Sequence, residues 1–144
     1  MTRQKEPSTL ERIGVAIDGP LLEKFDALIA GRGYTNRSEA FRDLIRAELV
    51  NESAQAPTSD VVGAITLVYD HHVRLLNEKL TSLQHDFHHI ILSTLHVHLD
   101  HENCLEVVVV RGKSSDVRKV ADLLIAARGV KHGRLVITGT GTGL

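Results

Sequence analysis

The 144-residue chain has no tryptophan, three phenylalanines, two tyrosines and one cysteine. So few aromatic rings leave little to stack on unpaired bases, which argues against a single-strand nucleic-acid binder. A lone cysteine cannot close an intrachain disulfide, and no apolar segment at the start has the form of a secretory signal. The expectation is a cytoplasmic protein whose thiol stays reduced. No apolar run approaches the roughly 20 residues that span a bilayer, so no membrane partner is expected. Neither sign of charge dominates: 17 Lys and Arg stand against 18 Asp and Glu, a formal net charge of −1. In residues 1–50 the balance is eight against eight, so this half has no bulk positive field for holding a polyanion non-specifically.

Histidine is abundant by contrast. Eight of the nine fall at 71, 72, 85, 88, 89, 96, 98 and 101, and the only cysteine follows three residues later. In Thr94-Leu95-His96-Val97-His98-Leu99, read at the strand period of two, both imidazoles share one face and Leu95, Val97 and Leu99 the other. The polar run 100–103 reads as a hairpin connection. The apolar run 105–110 reads as the returning strand, which brings Cys104 beside the histidine pair. Two imidazoles and a thiolate form a borderline-soft donor set for nickel, copper, zinc or iron and suit calcium or magnesium poorly. The competing reading is a half-buried strand with solvated histidines and a small core cysteine. The crowding of histidines around that one cysteine favours a metal.

Taken in order, residues 1–7 read as a polar, frayed lead-in. Residues 12–17 alternate, with Ile13, Val15 and Ile17 on one face and Arg12, Gly14 and Ala16 on the other, and predict a short strand. Asp18-Gly19-Pro20 opens a helix that keeps Leu21, Leu22, Phe25, Leu28 and Ile29 at helical spacing up to the glycines at 31 and 33. A second helix opens at Asn36-Arg37-Ser38-Glu39 and turns Ala40, Phe41, Leu44, Ile45 and Leu49 inward. A unit of about 40 residues without staples cannot bury enough apolar surface alone, so it is expected to dimerise, with the two strands paired across a two-fold axis.

Residues 51–60, polar and interrupted by Pro57, read as a linker between a first domain at 1–50 and a second at 61–144. The second domain reads as strand 61–69, helix 71–86, strands 89–99 and 104–110, helix 115–128 and strand 133–138. This βαββαβ order predicts a ferredoxin-like α+β sandwich, with helices on one face of an antiparallel sheet. Residues 138–144 read as a loose tail.

The pattern of residues 12–46, with Gly33-Tyr34, Asn36-Arg37-Ser38-Glu39-Ala40 and Arg42-Asp43, resembles the ribbon-helix-helix transcriptional regulators. Joined to Thr94-Leu95-His96-Val97-His98 and Cys104-Leu105-Glu106, nearly the whole chain resembles the nickel-responsive regulator family, NikR, in which that domain is fused to an ACT-type metal domain. The resemblance implies a DNA-binding repressor and not an enzyme: a homotetramer, or dimer of dimers, that grips a palindromic double-stranded operator when loaded with Ni(II). It implies that His96, His98 and Cys104 of one subunit and His85 of another hold the ion in a flat four-coordinate set, which disfavours tetrahedral zinc. Gln84, beside His85, and Glu106 are candidates to brace these ligands through hydrogen bonds. The resemblance further implies a secondary monovalent cation, K+, at Glu39 and Asp43, a like-charge i,i+4 pair that costs stability unless a cation lies between them; Arg42 and Arg46 are the alternative neutralisers.

For DNA, it implies that Arg12, Gly14 and Ala16 lie in the major groove, that the helix start at Asn36, Arg37 and Ser38 meets phosphate, and that Arg74 adds a contact from the second domain. The chain departs from the family in carrying Gly14 and Ala16 where hydroxyl side chains are usual, which leaves Arg12 alone able to make a bidentate base contact. Beside Arg74 stands Val73 in place of a second basic residue. Two other functions compete with this one, a metalloenzyme with an open coordination position and a nickel storage or delivery protein.

Overall fold

The computed structural model describes residues 10–144. The lead-in expected over residues 1–7 lies outside the described residues. Two compact units are present, Met1–Asp43 and Leu44–Leu144.

In the first unit, α1 (Gly19–Gly31) starts where Asp18 caps it, its carboxylate accepting the Leu21 N–H at 3.0 Å, with Pro20 in the first turn. Gly33, at φ 79°, ends it: the Tyr34 N–H donates to the Ile29 carbonyl and the Gly33 N–H to the Ala30 carbonyl. That pair of bonds requires a left-handed residue, which only glycine adopts without strain. The second helix, α2 (Arg37–Gln55), is capped by Asn36, whose side-chain oxygen accepts the Glu39 N–H at 2.9 Å. Phe25 and Phe41 stack with ring centroids 4.8 Å apart, and Ile29 and Ala40 are buried.

Residues 10–18 form no ladder, so the strand expected over 12–17 is absent from the isolated chain. The reason is physical: a strand exists through the backbone groups of a neighbour, and the described residues supply none here. Ile13 stays 79% exposed and Val15 64%. Helix α2 runs on to Gln55, so residues 51–55, expected as linker, are helical. They contain neither glycine nor proline, and the helix stops just before Pro57.

The second unit is built on β1 (Asp60–Asp70), α3 (Leu76–Asp86), β2 (Ile91–His98), β3 (Asn103–Lys113), α4 (Ser114–Ile125) and β4 (Val130–Thr138). The strands form one antiparallel sheet in the order β2-β3-β1-β4. Alternation places Val61, Ile65, Leu67 and Tyr69 of β1 and Cys104, Val108 and Val110 of β3 on one face. There they pack with Leu76 and Leu80 of α3 and Val117, Val120, Ala121 and Leu124 of α4. At Gly133 a Cβ would come within 2.7 Å of Ile125 Cγ1, so a glycine lets α4 lie close on β4. Helix α3 begins at Leu76, five residues later than expected. Residues 71–75 are held in turns by the Asp70 carboxylate, which accepts the His72 N–H at 2.8 Å, and Leu75 is left-handed at φ 68°. Among the described residues no helix covers the opposite sheet face: Leu95 of β2 is 60% exposed and Val136 of β4 58%.

Candidate metal centre

Cys104, the second residue of β3, lies opposite His98 on β2 and Tyr69 on β1. Two residues along, Glu106 lies opposite His96 and Leu67. Side chains opposite each other in an antiparallel pair share a face. The imidazoles of β2 therefore stand over the thiol and the carboxylate of β3, as the hairpin reading expects. The connection is closed by Asp100, whose carboxylate accepts the backbone N–H groups of Glu102 and Asn103 at 2.9 and 2.8 Å and the Asn103 amide. Those bonds, the Asn103 side chain first, hold the Asp100 carboxyl down at about 2.

The thiol is fully buried and faces two ring nitrogens, His71 Nδ1 at 3.4 Å and His98 Nδ1 at 3.5 Å. Metal–sulfur and metal–nitrogen bonds of about 2.3 and 2.0–2.1 Å put N and S roughly 3.1–3.6 Å apart in a shared coordination sphere. The spacing therefore suits one ion, and imidazole with thiolate suits a borderline divalent one. Burial pushes the Cys104 thiol above its usual value, and the carboxylates of Asp100, Asp70 and Glu106 add to the rise. An ion that takes the sulfur must displace a proton.

His96 points into a second, hydrogen-bonded layer. Its Nδ1 lies 3.3 Å from the Tyr69 hydroxyl, which itself donates to Glu106 Oε2 at 2.8 Å. With that hydroxyl proton spent on the carboxylate, His96 Nδ1–H is the donor to Tyr69, and Nε2 is left bare for a metal. Gln84, on α3, donates to Glu106 Oε1 and accepts from the Thr94 hydroxyl. Both oxygens of the buried Glu106 are thus satisfied, and α3 is tied to β2 and β3 one residue before His85. Burial, then the bond to Glu106, drives the Tyr69 phenol well above its usual range.

Of the four expected ligands, His98 and Cys104 stand together in the chain, His96 lies beside them with ring centroids 5.1 Å from His98, and His85 is exposed on the last turn of α3. His71, which is not among the four expected ligands, joins Cys104 and His98 in a group whose ligand atoms lie within 4.8 Å of one another. Tyr69 was not singled out either. The signal was there: a tyrosine at the inward period of a strand needs a partner for its hydroxyl.

In the first unit, Arg37 is held by a bidentate pair with Asp26 at 2.7 and 2.8 Å, and the Asn36 side chain is engaged in capping. The helix start keeps the N–H groups of Arg37 and Ser38, which have no acceptor within the helix. Arg12, Gly14 and Ala16 lie in the unladdered segment, largely open to solvent, and Arg74 is exposed in the turn before α3. Asp43 accepts the Tyr34 hydroxyl at 2.7 Å, and the Arg42 guanidinium lies 4.0 Å from Glu39.

These two units together define a class, a DNA-binding regulator with a separate metal-binding domain. Residues 62–138 match the family model "NikR C terminal nickel binding domain", and residues 11–52 match "Ribbon-helix-helix protein, copG family". A relative from Solibacter usitatus named "Putative nickel-responsive regulator" is 76% identical over 93% of this chain and 96% of its own. Relatives of the same name from Pelobacter propionicus and Geobacter sulfurreducens are 58% and 60% identical, each over 90% of this chain and 94% of theirs. The chain belongs to the nickel-responsive regulator family. Its relatives are named as regulators and its first unit matches a ribbon-helix-helix model, which sets the metalloenzyme reading aside. Among the described residues, no helix is long and apolar enough to cross a membrane.

Proposed function

We propose that this nickel-responsive DNA-binding regulator is a cytoplasmic repressor of nickel uptake genes that grips a palindromic operator when loaded with Ni(II). The ligands are His96, His98 and Cys104 of one subunit and His85 of the partner subunit. The observation that carries this reading is the chain of hydrogen bonds from His96 through Tyr69 and Glu106 to Gln84. It links the strand ligands to the helix turn that bears His85, so filling the site biases the position of α3.

Two exposed apolar surfaces support a homotetramer arranged as a dimer of dimers. Ile13 and Val15 on a segment without a ladder suit pairing with a second copy, and the helix-free sheet face around Leu95 and Val136 suits another. The paired segments present Arg12, Gly14 and Ala16 to the major groove, the amides at Arg37 and Ser38 meet phosphate, and Arg74 adds a backbone contact. A secondary monovalent cation, K+, sits against Glu39 and Asp43.

The test is a nickel titration with a palindromic operator present. If nickel binding favours the DNA-competent arrangement by about 3 kcal/mol, the DNA Kd falls by about two decades. His98→Ala abolishes the response and leaves the fold intact. Absence of any DNA binding at low salt overturns the reading in favour of storage or delivery.

A further inference from the structure

The sequence presents 51–60 as a linker, yet in the structure this stretch is fastened. Helix α2 has residues on both sides of the boundary between the units, and from Leu44 onward it belongs to the second. The last carbonyls of a helix find no partner within it. Here the Ala54 carbonyl accepts from the buried Ser114 hydroxyl and, at 3.0 Å, from Arg118 Nη2, both on α4. The guanidinium also sets a positive charge at the negative end of the α2 dipole. The exchange is mutual. No side chain caps the start of α4, and the N–H groups of Ser114 and Ser115 donate instead to the carbonyls of Ser59 at 2.9 Å and Pro57 at 3.0 Å. Ala54 is buried at this junction. Helix α4 in turn shares the core, through Val117 and Val120, with Val108 and Val110 of β3, the strand that carries Cys104.

We infer that Ser114 and Arg118 are positioning residues for DNA binding: by holding the Ala54 carbonyl they tie the end of α2 to the sheet unit, so that the helix that opens at Asn36, Arg37 and Ser38 follows the unit that binds nickel. A ligand shifts an equilibrium only through its different affinity for two arrangements. A slack link at 51–60 would pass little of that preference on to α2, and a fastened one passes it on. Both donors bear on one carbonyl, so either alone leaves the junction weaker and their joint loss opens it. The fastening rests on the hydrogen bonds alone, whereas its part in the nickel response rests on the regulator reading above.

The test compares the full chain with the double variant Ser114→Ala, Arg118→Ala. Amide hydrogen exchange over residues 50–56 is expected to speed up about tenfold or more in the variant, with β1 and β3 unchanged. On a DNA duplex selected from a random pool by the nickel-loaded, unaltered protein, the nickel-induced tightening is expected to shrink about tenfold or more, while nickel affinity measured without DNA stays the same. Should the double variant fail to fold, Arg118→Ala alone, at an exposed position, is expected to move both readouts in the same direction. Unchanged exchange at 50–56 overturns the fastening. Faster exchange with an undiminished nickel response overturns the positioning role. If the unaltered protein selects no duplex, the regulator reading fails and the positioning role with it, while the exchange result still decides the fastening.

Discussion

The two units solve the burial problem differently. The sheet unit hides its apolar residues within one chain: β1 and β3 turn every second side chain under α3 and α4, and residues such as Leu80 and Val108 are fully covered. In the first unit only Ile29 and Ala40 are buried among the described residues, while Leu10, Ile13, Val15, Leu21 and Leu28 stay open. The lesson is that local caps form readily, as at Asp18 and Asn36 of the first unit, while α3 and α4 of the sheet unit have no side-chain N-cap and are held by packing. A core needs enough chain to close around it, and about 40 residues are too few.

Core truncation gives the largest contrast. Leu80→Ala leaves a cavity between α3 and the sheet and is expected to cost about 2–5 kcal/mol in denaturant unfolding of the sheet unit. A loss below about 1 kcal/mol would mean that its core is not self-sufficient. In the first unit, Ile13→Ser is expected to weaken subunit association about 100-fold or more by sedimentation, since each of two copies gives up about 1.5–3 kcal/mol of burial. Were Ile13 a monomer's surface residue, the change would be almost silent.

Tyr69→Phe sharpens the comparison within the sheet unit. It removes the hydroxyl between His96 and Glu106, and nickel affinity measured against a competing chelator is expected to fall about 10–100-fold with the fold retained. An unchanged affinity would show that this network has no part in holding the ligands. The pH dependence should be gentler. The Cys104 thiol lies above its usual value, so it is protonated at neutral pH and nickel must displace that proton. Between pH 7 and 8.5, nickel affinity is expected to rise about tenfold per pH unit from the sulfur, and Cys104→Ser should flatten that slope.

The smallest effect belongs to the first unit's surface. Arg37 holds the Asp26 carboxyl below its usual range, chiefly through their hydrogen bond. Its folded value is depressed, so the contribution is present above the ordinary carboxylate range and disappears as pH falls through the folded value. Both groups are well exposed, and Asp26→Ala should scarcely move the thermal midpoint at physiological salt. A large shift would mean that the pair orders α1 against α2.

Much of the site was legible because strand periodicity is rigid. His96, His98, Cys104 and Glu106 share a face for the same reason that any i, i+2 pair does, and the hairpin at 100–103 needs only polar residues at the right spacing. His71 and Tyr69 were not legible as partners of the thiol and the carboxylate. Their nearness depends on β1 pairing with β3 in the register that sets Tyr69 against Cys104, a contact 35 positions apart along the chain. The strand at 12–17 reads as one that pairs across a two-fold axis, and alternation marks a segment able to pair without itself providing the partner, so the single chain shows no ladder there.

By itself the sequence determined what depends on neighbours a few residues away: the caps at Asp18 and Asn36, the stop at Gly33, the alternating faces of the strands and the βαββαβ order. Only the tertiary structure decided which donors surround the sulfur, that Glu106 is satisfied by Tyr69 and Gln84, and that residues 12–17 lack a ladder within one chain. Local geometry is encoded every two to four residues, whereas a side chain's surroundings are set by strand register and by how much chain is present to pack against it.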